Sequence, residues 1–132
     1  MTNEPKGNIL FVDDDKFLVD MYSMKFSASG YVVQACVSVS DALSFLHEGF
    51  SADAVVFDII MPEQDGFALL EAIKKEKLVP RAALIALTNQ SNDAEKGRAE
   101  EIEVDRYVVK ASMIPSEVVS VVGEEIAKKR GA

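Results

Sequence analysis

Five short apolar runs recur along the chain, separated by longer segments of mixed polarity. Each run is rich in β-branched or aromatic residues or is bounded by polar ones, which is typical of buried strands. The runs therefore predict five β-strands, at 8–12, 31–35, 54–57, 82–87 and 106–109.

Between these runs, apolar residues recur at the three- and four-residue spacing of a helix face. The predicted stripes are Phe17, Leu18, Met21, Met24 and Ala28; Val39, Ala42, Leu43 and Leu46; Phe67, Leu70 and Ile73; and Val118, Val119, Val122 and Ile126. A weaker, highly charged pattern predicts a further helix over 91–103. Gly30 and Gly49 follow the first two helices, where a left-handed residue often ends a helix, and Pro115 suits the first turn of the last helix.

The alternation of strand and helix predicts an α/β fold, a doubly wound (βα)5 domain with a five-stranded parallel sheet. The first, third and fourth runs are uninterrupted apolar, as central strands covered on both faces should be. The second and fifth runs carry Gln34 and Arg106, which suits edge strands. With right-handed crossovers, the expected strand order is 2-1-3-4-5, as in flavodoxin-like sheets.

Length and charge narrow the function classes. The 132 residues fit a single domain over 1–132 with a core at about 6–130, and the net charge is −8. An acidic balance argues against direct contact with nucleic acid or with anionic membranes. The polar N-terminus has no apolar signal region, and the lone Cys36 cannot form an internal disulfide, so a cytoplasmic protein is expected. Cys36 itself is interpreted as a small buried residue.

Polar residues gather where the predicted strands end. They are Asp13, Asp14 and Asp15 after the first strand, Asp58 at the end of the third, Thr88 after the fourth and Lys110 after the fifth. Two carboxylates about 4 Å apart repel by about 4 kcal/mol at a surface-like dielectric, so such a cluster favours a cation. Oxygen ligands of this kind suit Mg²⁺, and a carboxylate can also act as a nucleophile toward phosphorus.

Four motifs in this order, on the matching strands, resemble the receiver domain of two-component response regulators. The motifs are ILFVDDD (9–15), VVFDIIMPEQDG (55–66), LIALT (84–88) and YVVK (107–110). The resemblance, which is chemotaxis-receiver-like, covers nearly the whole chain and implies a phosphoacceptor signalling switch of a two-component phosphorelay.

The resemblance also implies a role for each matching residue. Asp58 would be the phosphoacceptor, while Thr88 and Lys110 would contact the phosphoryl group and Tyr107 would be the aromatic switch. The implied Mg²⁺ ligands are Asp14, Asp58, the backbone carbonyl of Ile60 and, through a water molecule, Asp13.

The implied protein is not an enzyme beyond promoting its own phosphorylation and slow dephosphorylation. A sensor histidine kinase or a phosphotransfer protein would donate the phosphoryl group, and no output domain, nucleic-acid contact or membrane contact is expected. The signal would leave through the face formed by helix 91–103, the fifth strand and the C-terminal helix, toward a downstream protein or a second copy. The C-terminal helix has an apolar stripe wider than one buried face requires, and the excess could bind a partner. The stripe contains Val118, Val119, Val121 and Val122.

Two other functions compete with this interpretation. A haloacid-dehalogenase-like phosphatase also uses an Asp-x-Asp motif, but Phe17 stands where that family has Thr or Val, and the chain has no cap domain. A flavodoxin-like cofactor binder needs a phosphate-friendly first loop, which three aspartates oppose.

Individual residues also have plainer interpretations. Asp15 suits a helix cap, Asp65 a turn, and Tyr107 simple packing. The sequence departs from the family at Ala111, where Pro usually follows the Lys, and at Asn89, where a small residue usually follows the Thr.

Overall fold

The computed structural model describes residues 6–59, 61, 65–88, 104–110 and 113–131. In this part of the chain, strands and helices alternate as the apolar pattern predicts. The elements are β1 (Asn8–Val12), α1 (Lys16–Ala28), β2 (Val32–Cys36), α2 (Val39–His47), β3 (Ala54–Asp58), α3 (Gly66–Lys75), β4 (Ala83–Thr88), β5 (Arg106–Val109) and α4 (Pro115–Lys129). The predicted helix over 91–103, together with Asn89 and Ala111, lies outside the described residues.

The five strands form one parallel sheet in the order β2-β1-β3-β4-β5, which confirms the predicted order. β3 and β4 are buried along their whole length, and β1 is buried after its first residue. Gln34 on β2 and Arg106 on β5 are only partly buried, as expected for edge strands. The central strands are apolar throughout because helices cover both of their faces.

Alternate side chains of the central strands enter two separate cores. Leu10 and Phe57 join the core beneath α2 and α3. Phe11 and Val56 join the core beneath α1 and α4. Each fully buried side chain of this size contributes on the order of 1.5–3 kcal/mol, so the two cores together fix the strands in their register. Cys36 is buried in the first core, and burial raises the pKa of its thiol to about 12.

The predicted stripe on α1 is only partly confirmed, because Leu18 and Met21 are partly buried against the second core but other members are exposed. Phe17 is 77% exposed and Met24 is 72% exposed, whereas Val19, Tyr22 and Phe26 are the residues buried on this helix. The ring of Tyr22 stacks on Phe11 of β1 with their centroids 5.0 Å apart. The buried face of α1 is therefore centred on Tyr22 and includes only part of the predicted stripe.

The apolar stripe of α4 is buried within the chain itself. Val118, Val119, Val121 and Val122 all belong to the second core. The sequence-based inference that these valines leave surplus apolar surface for a partner is therefore wrong. Pro115 lies at the start of this helix, as predicted. Among the described helices, none has the length and apolar character that crossing a bilayer requires.

Aspartates tie the amino ends of the sheet to the end of α4. An oxygen of Asp53 accepts the backbone N–H of Asn8 at 2.7 Å, and the other lies 3.4 Å from Arg130. Asp105 accepts the N–H of Leu84 at 2.7 Å and pairs with Lys129 at 3.0 Å. The last turn of α4 is thereby fastened to two places on the sheet.

Three helices end with the same hydrogen-bond pattern around a left-handed residue. Gly30 and Gly49 occupy this position after α1 and α2, with φ of +99° and +103°, as predicted. After α3 the position is held by Lys77, with φ of +54°. The N–H of Leu78 closes the turn by donating to the carbonyl of Ile73 at 2.9 Å. A side chain in this conformation costs about 1–2 kcal/mol that glycine avoids.

Replacing Lys77 with glycine should therefore stabilise the protein. We expect Lys77→Gly to raise the free energy of unfolding by about 0.5–1 kcal/mol, since relief of strain exceeds the added flexibility of the unfolded chain. Chemical denaturation measures the change. Glu71→Gly, at an exposed position in the middle of the same helix, is the control and should lose about 1 kcal/mol. A destabilised Lys77→Gly variant would contradict this account.

Candidate phosphoacceptor site

Three aspartates converge at the carboxyl ends of β1 and β3. These strands are paired in parallel with Val12 opposite Phe57, so Asp13 and Asp58, the next residues, end at the same edge of the sheet. Asp13 and Asp58 are buried and Asp14 is exposed. One carboxylate oxygen from each of the three lies within 4.8 Å of the others. The predicted acidic cluster is therefore assembled by the fold.

The ammonium of Lys110 lies between two of these carboxylates. Its Nζ donates to Asp13 Oδ2 at 2.6 Å and to Asp58 Oδ2 at 3.3 Å. Only 8% of the Lys110 side chain is exposed. Burial alone would lower the pKa of this lysine, but the hydrogen bonds and negative charges of Asp13 and Asp58 together outweigh burial and raise it. Lys110 is therefore charged at neutral pH and partly offsets the carboxylate charge.

Thr88 and Tyr107 lie on the neighbouring strands. Thr88 is the buried last residue of β4, one position beyond the pairing of Leu87 with Asp58. Tyr107 on β5 is half-buried and packs against the core beneath α2 and α3. Thr88 thus ends its strand at the edge that carries the acidic cluster, whereas Tyr107 lies within its strand, opposite Ala86. Ile60, the remaining predicted site residue, lies outside the described residues.

Asp15 is a helix cap, as its plainer interpretation predicted. Its side chain accepts the backbone N–H groups of Phe17 at 3.0 Å and Leu18 at 3.3 Å. Its own N–H donates to Asp13 Oδ1 at 3.0 Å. The third aspartate of the run therefore starts α1 and helps to orient the first. Asp65, predicted as a turn residue, caps α3 in the same way by accepting the N–H of Ala68 at 3.1 Å.

Gly66 allows α3 to begin directly against the strand that carries Asp58. Its N–H donates to the carbonyl of Ile59 at 2.9 Å. A Cβ atom at this position would lie 2.5 Å from the backbone oxygen of Asp58 and 2.8 Å from the ring of Phe57. The close approach at Gly66 was not predicted from the sequence. The Asp-Gly pair shortly after a strand end was the available signal for a close backbone approach.

Tyr22 is a second residue near the site that sequence analysis missed. Burial raises the pKa of its hydroxyl, while the charge of Lys110 lowers it and that of Asp13 raises it. Tyr22 therefore lies within the electrostatic field of the acidic cluster. The spacing of Val19, Tyr22 and Phe26 was the signal in the sequence, but the competing stripe that begins at Phe17 obscured it.

With this geometry established, comparison with known proteins identifies the class. Residues 9–122 match the family model of the response regulator receiver domain. The chain belongs to this family, the signalling switch of two-component systems. Receiver domains of response regulators interact with histidine kinases or phosphotransfer proteins.

Individual relatives agree with the family. The chain is 30% identical to the regulatory protein VanRc of Enterococcus gallinarum, over 91% of this chain and 50% of that protein. It is 33% identical to the probable transcriptional regulator ycf27 of Guillardia theta, over 81% of this chain and 41% of that one. The chain thus spans half or less of the length of these relatives. The CheY-like receiver domain from Methanospirillum hungatei JF-1 superposes with a TM-score of 0.85 at 25% identity, covering 95% of this chain and 97% of that one.

These comparisons decide between the competing functions. The relatives are response regulators, so the haloacid-dehalogenase alternative is wrong. The expectation of no direct nucleic-acid contact is not supported, because one relative is described as a probable transcriptional regulator. The argument from net charge applies only to the receiver domain. It says nothing about the parts of the longer relatives that this chain does not match.

The close approach at Gly66 predicts a steep cost for any side chain there. Gly66→Ala should lower the free energy of unfolding by roughly 1–3 kcal/mol, because the new methyl group meets the backbone of Asp58, which cannot move aside. Thermal or chemical denaturation measures the loss.

Gly123 in α4 provides the matched control. A Cβ atom there would lie 2.9 Å from the Tyr31 hydroxyl, at the tip of a side chain that can shift. Gly123→Ala should therefore change stability by less than about 1 kcal/mol, since the gain in helix propensity offsets the shift. Equal losses in the two variants would show that the contact with Asp58 is not responsible.

Proposed function

We propose that this chain accepts a phosphoryl group on Asp58 and relays the change as a phosphorylation-driven switch. The observation that carries the proposal is the position of Asp58. Its buried side chain ends the central strand β3, lies beside the carboxylates of Asp13 and Asp14, and is contacted by the Lys110 ammonium. A nucleophilic carboxylate held next to a fixed cation has what phosphoryl transfer requires.

In the proposed reaction, an oxygen of Asp58 attacks the phosphorus of a phosphohistidine on a sensor histidine kinase or a phosphotransfer protein. The new O–P bond forms as the N–P bond breaks, and the electron pair stays on the imidazole nitrogen. Lys110 is positioned to move from its hydrogen bond with Asp58 to the phosphoryl oxygens. Thr88, at the end of the adjacent strand, would donate a hydrogen bond from its hydroxyl to a phosphoryl oxygen.

The acidic cluster also fits Mg²⁺. Its three carboxylates offer oxygen ligands only, and Lys110 balances just part of their charge. Asp14 and Asp58 would bind the ion directly, Asp13 would bind through a water molecule, and the carbonyl of Ile60 would complete the protein ligands. When bound, Mg²⁺ neutralises charge on the phosphoryl oxygens.

The signal is proposed to leave through the face that includes β5 and α4. Tyr107, half-buried on β5, would change position when Thr88 and Lys110 engage the phosphoryl group. The segment 91–103 would complete this face, and a downstream protein or a second copy of the chain would bind it. The domain promotes its own phosphorylation and its slow dephosphorylation.

Phosphorylation should be confined to Asp58. Incubation with acetyl phosphate and Mg²⁺ should add the mass of one phosphoryl group to the wild-type chain, and intact-mass spectrometry measures this directly. Asp58→Asn should gain none, because an amide is a poor nucleophile toward phosphorus. Asp20→Asn, which alters an exposed acid of α1, is the control and should react like wild type. The assignment fails if Asp58→Asn is modified as readily as wild type.

Mg²⁺ should stabilise the folded chain through Asp14. At one hundred times its dissociation constant, the ion adds about 2.7 kcal/mol by mass action, which raises the melting temperature by several degrees. Asp14→Ala should remove this response while leaving the metal-free protein as stable as wild type or more so, because one repelling charge is gone. Asp20→Ala should keep the full response. A large loss of stability in metal-free Asp14→Ala would instead give Asp14 a structural role.

A further inference from the structure

A cavity of about 310 Å³ lies under the turn between α3 and β4, and we name it the turn cavity. It is at the amino ends of β4 and β5, at the edge of the sheet opposite to the acidic cluster. Its apolar wall includes Ile73, Leu78 and Leu84. A space of this size accommodates a small organic molecule.

The charge of the turn cavity opposes that of the whole chain. Among the described residues that line it, three lysines and one aspartate give a formal sum of +2, whereas the chain carries −8. Asp105 is engaged, because Lys129 pairs with one of its oxygens at 3.0 Å and the N–H of Leu84 donates to the other at 2.7 Å. Lys74 and Lys77 supply the remaining positive charge at the cavity.

Two residues that line the turn cavity have strained backbones. Lys77 has φ of +54° and Val79 has φ of +37°, and they are the non-glycine residues with positive φ in the described part of the chain. Backbone strain of this kind is often retained at sites that bind ligands. Gly30 and Gly49, in the equivalent helix-end position to Lys77, avoid that strain.

The helix dipole gives a plainer account of some of these lysines. Lys74 and Lys75 lie in the last turn of α3, where positive charge is favourable. The helix dipole does not require a lysine at position 77, where the backbone is left-handed. It also does not account for the apolar cavity beside this residue. The combination at Lys77 of charge, strain and a cavity wall needs a further cause.

We propose that the turn cavity binds a small organic anion, with its carboxylate or phosphate group at Lys74 and Lys77 and its apolar part against Ile73, Leu78 and Leu84. The positive lining selects the anionic group, and the apolar wall selects a ligand with a hydrophobic body over inorganic phosphate. This site is separate from Asp58, so the proposal holds whether or not the chain is phosphorylated there.

Four probe compounds test the chemistry in a titration followed by ¹H–¹⁵N NMR. Phenyl phosphate and benzoate carry both features, benzyl alcohol lacks the charge, and inorganic phosphate lacks the apolar body. We expect saturable shifts at amides within 73–84 for one or both aromatic anions, and the stronger of the two identifies the acidic group. Benzyl alcohol and inorganic phosphate should bind at least about fivefold more weakly, since each loses one class of contact. The absence of saturable shifts there with either aromatic anion would overturn the proposal.

Variants of neighbouring lysines provide the matched comparison. Lys77→Gln removes the charge at the cavity and should weaken binding of the better aromatic anion about fivefold. Lys75→Gln removes a charge from the same turn outside the cavity lining and should bind like wild type. Lys77→Gly should also bind the aromatic anion more weakly. Because this variant is expected to be more stable than wild type, unfolding cannot explain its loss of affinity. Equal affinities of Lys77→Gln and Lys75→Gln would overturn the site.

Discussion

The site depends on one buried cation placed between carboxylates that repel each other. Lys110 reaches Asp13, which is 97 residues away in the chain, and Asp58 on the central strand. Removing one partner from a buried ion pair typically costs about 3–5 kcal/mol, because the remaining charge is left uncompensated. The contact therefore holds the ends of β1, β3 and β5 together. It also keeps Asp58 beside a positive charge, which the proposed phosphoryl transfer would use.

Much of the architecture follows from the sequence because buried parallel strands leave a distinctive pattern. Uninterrupted apolar runs mark β1, β3 and β4 as central, while Gln34 and Arg106 mark the edges. Strand order then predicts which strand ends meet, so Asp13, Asp14, Asp58 and Lys110 could be grouped before any coordinates were known.

Contacts that depend on tertiary distances were not predictable in this way. On α1, helical spacing placed Phe17 on the buried face, yet Phe17 is exposed and Tyr22 stacks on Phe11 instead. The breadth of the α4 stripe likewise gave no measure of how much of it the sheet would cover. The role of Gly66 depends on the 2.5 Å separation between an added Cβ and the Asp58 carbonyl, which a sequence pattern cannot express.

The sheet order has a mechanical consequence for the switch. Asp58 lies on a strand paired on both sides, whereas Lys110 follows β5, whose one partner among the described strands is β4. Asp58 is thus anchored in the interior of the sheet, whereas Lys110, which contacts it, follows a strand at the edge of the sheet. If Asp58 is phosphorylated as proposed, the added charge would meet less resistance at this edge than among the central strands. The proposed switch would accordingly displace the surface of β5 and leave the central strands in place.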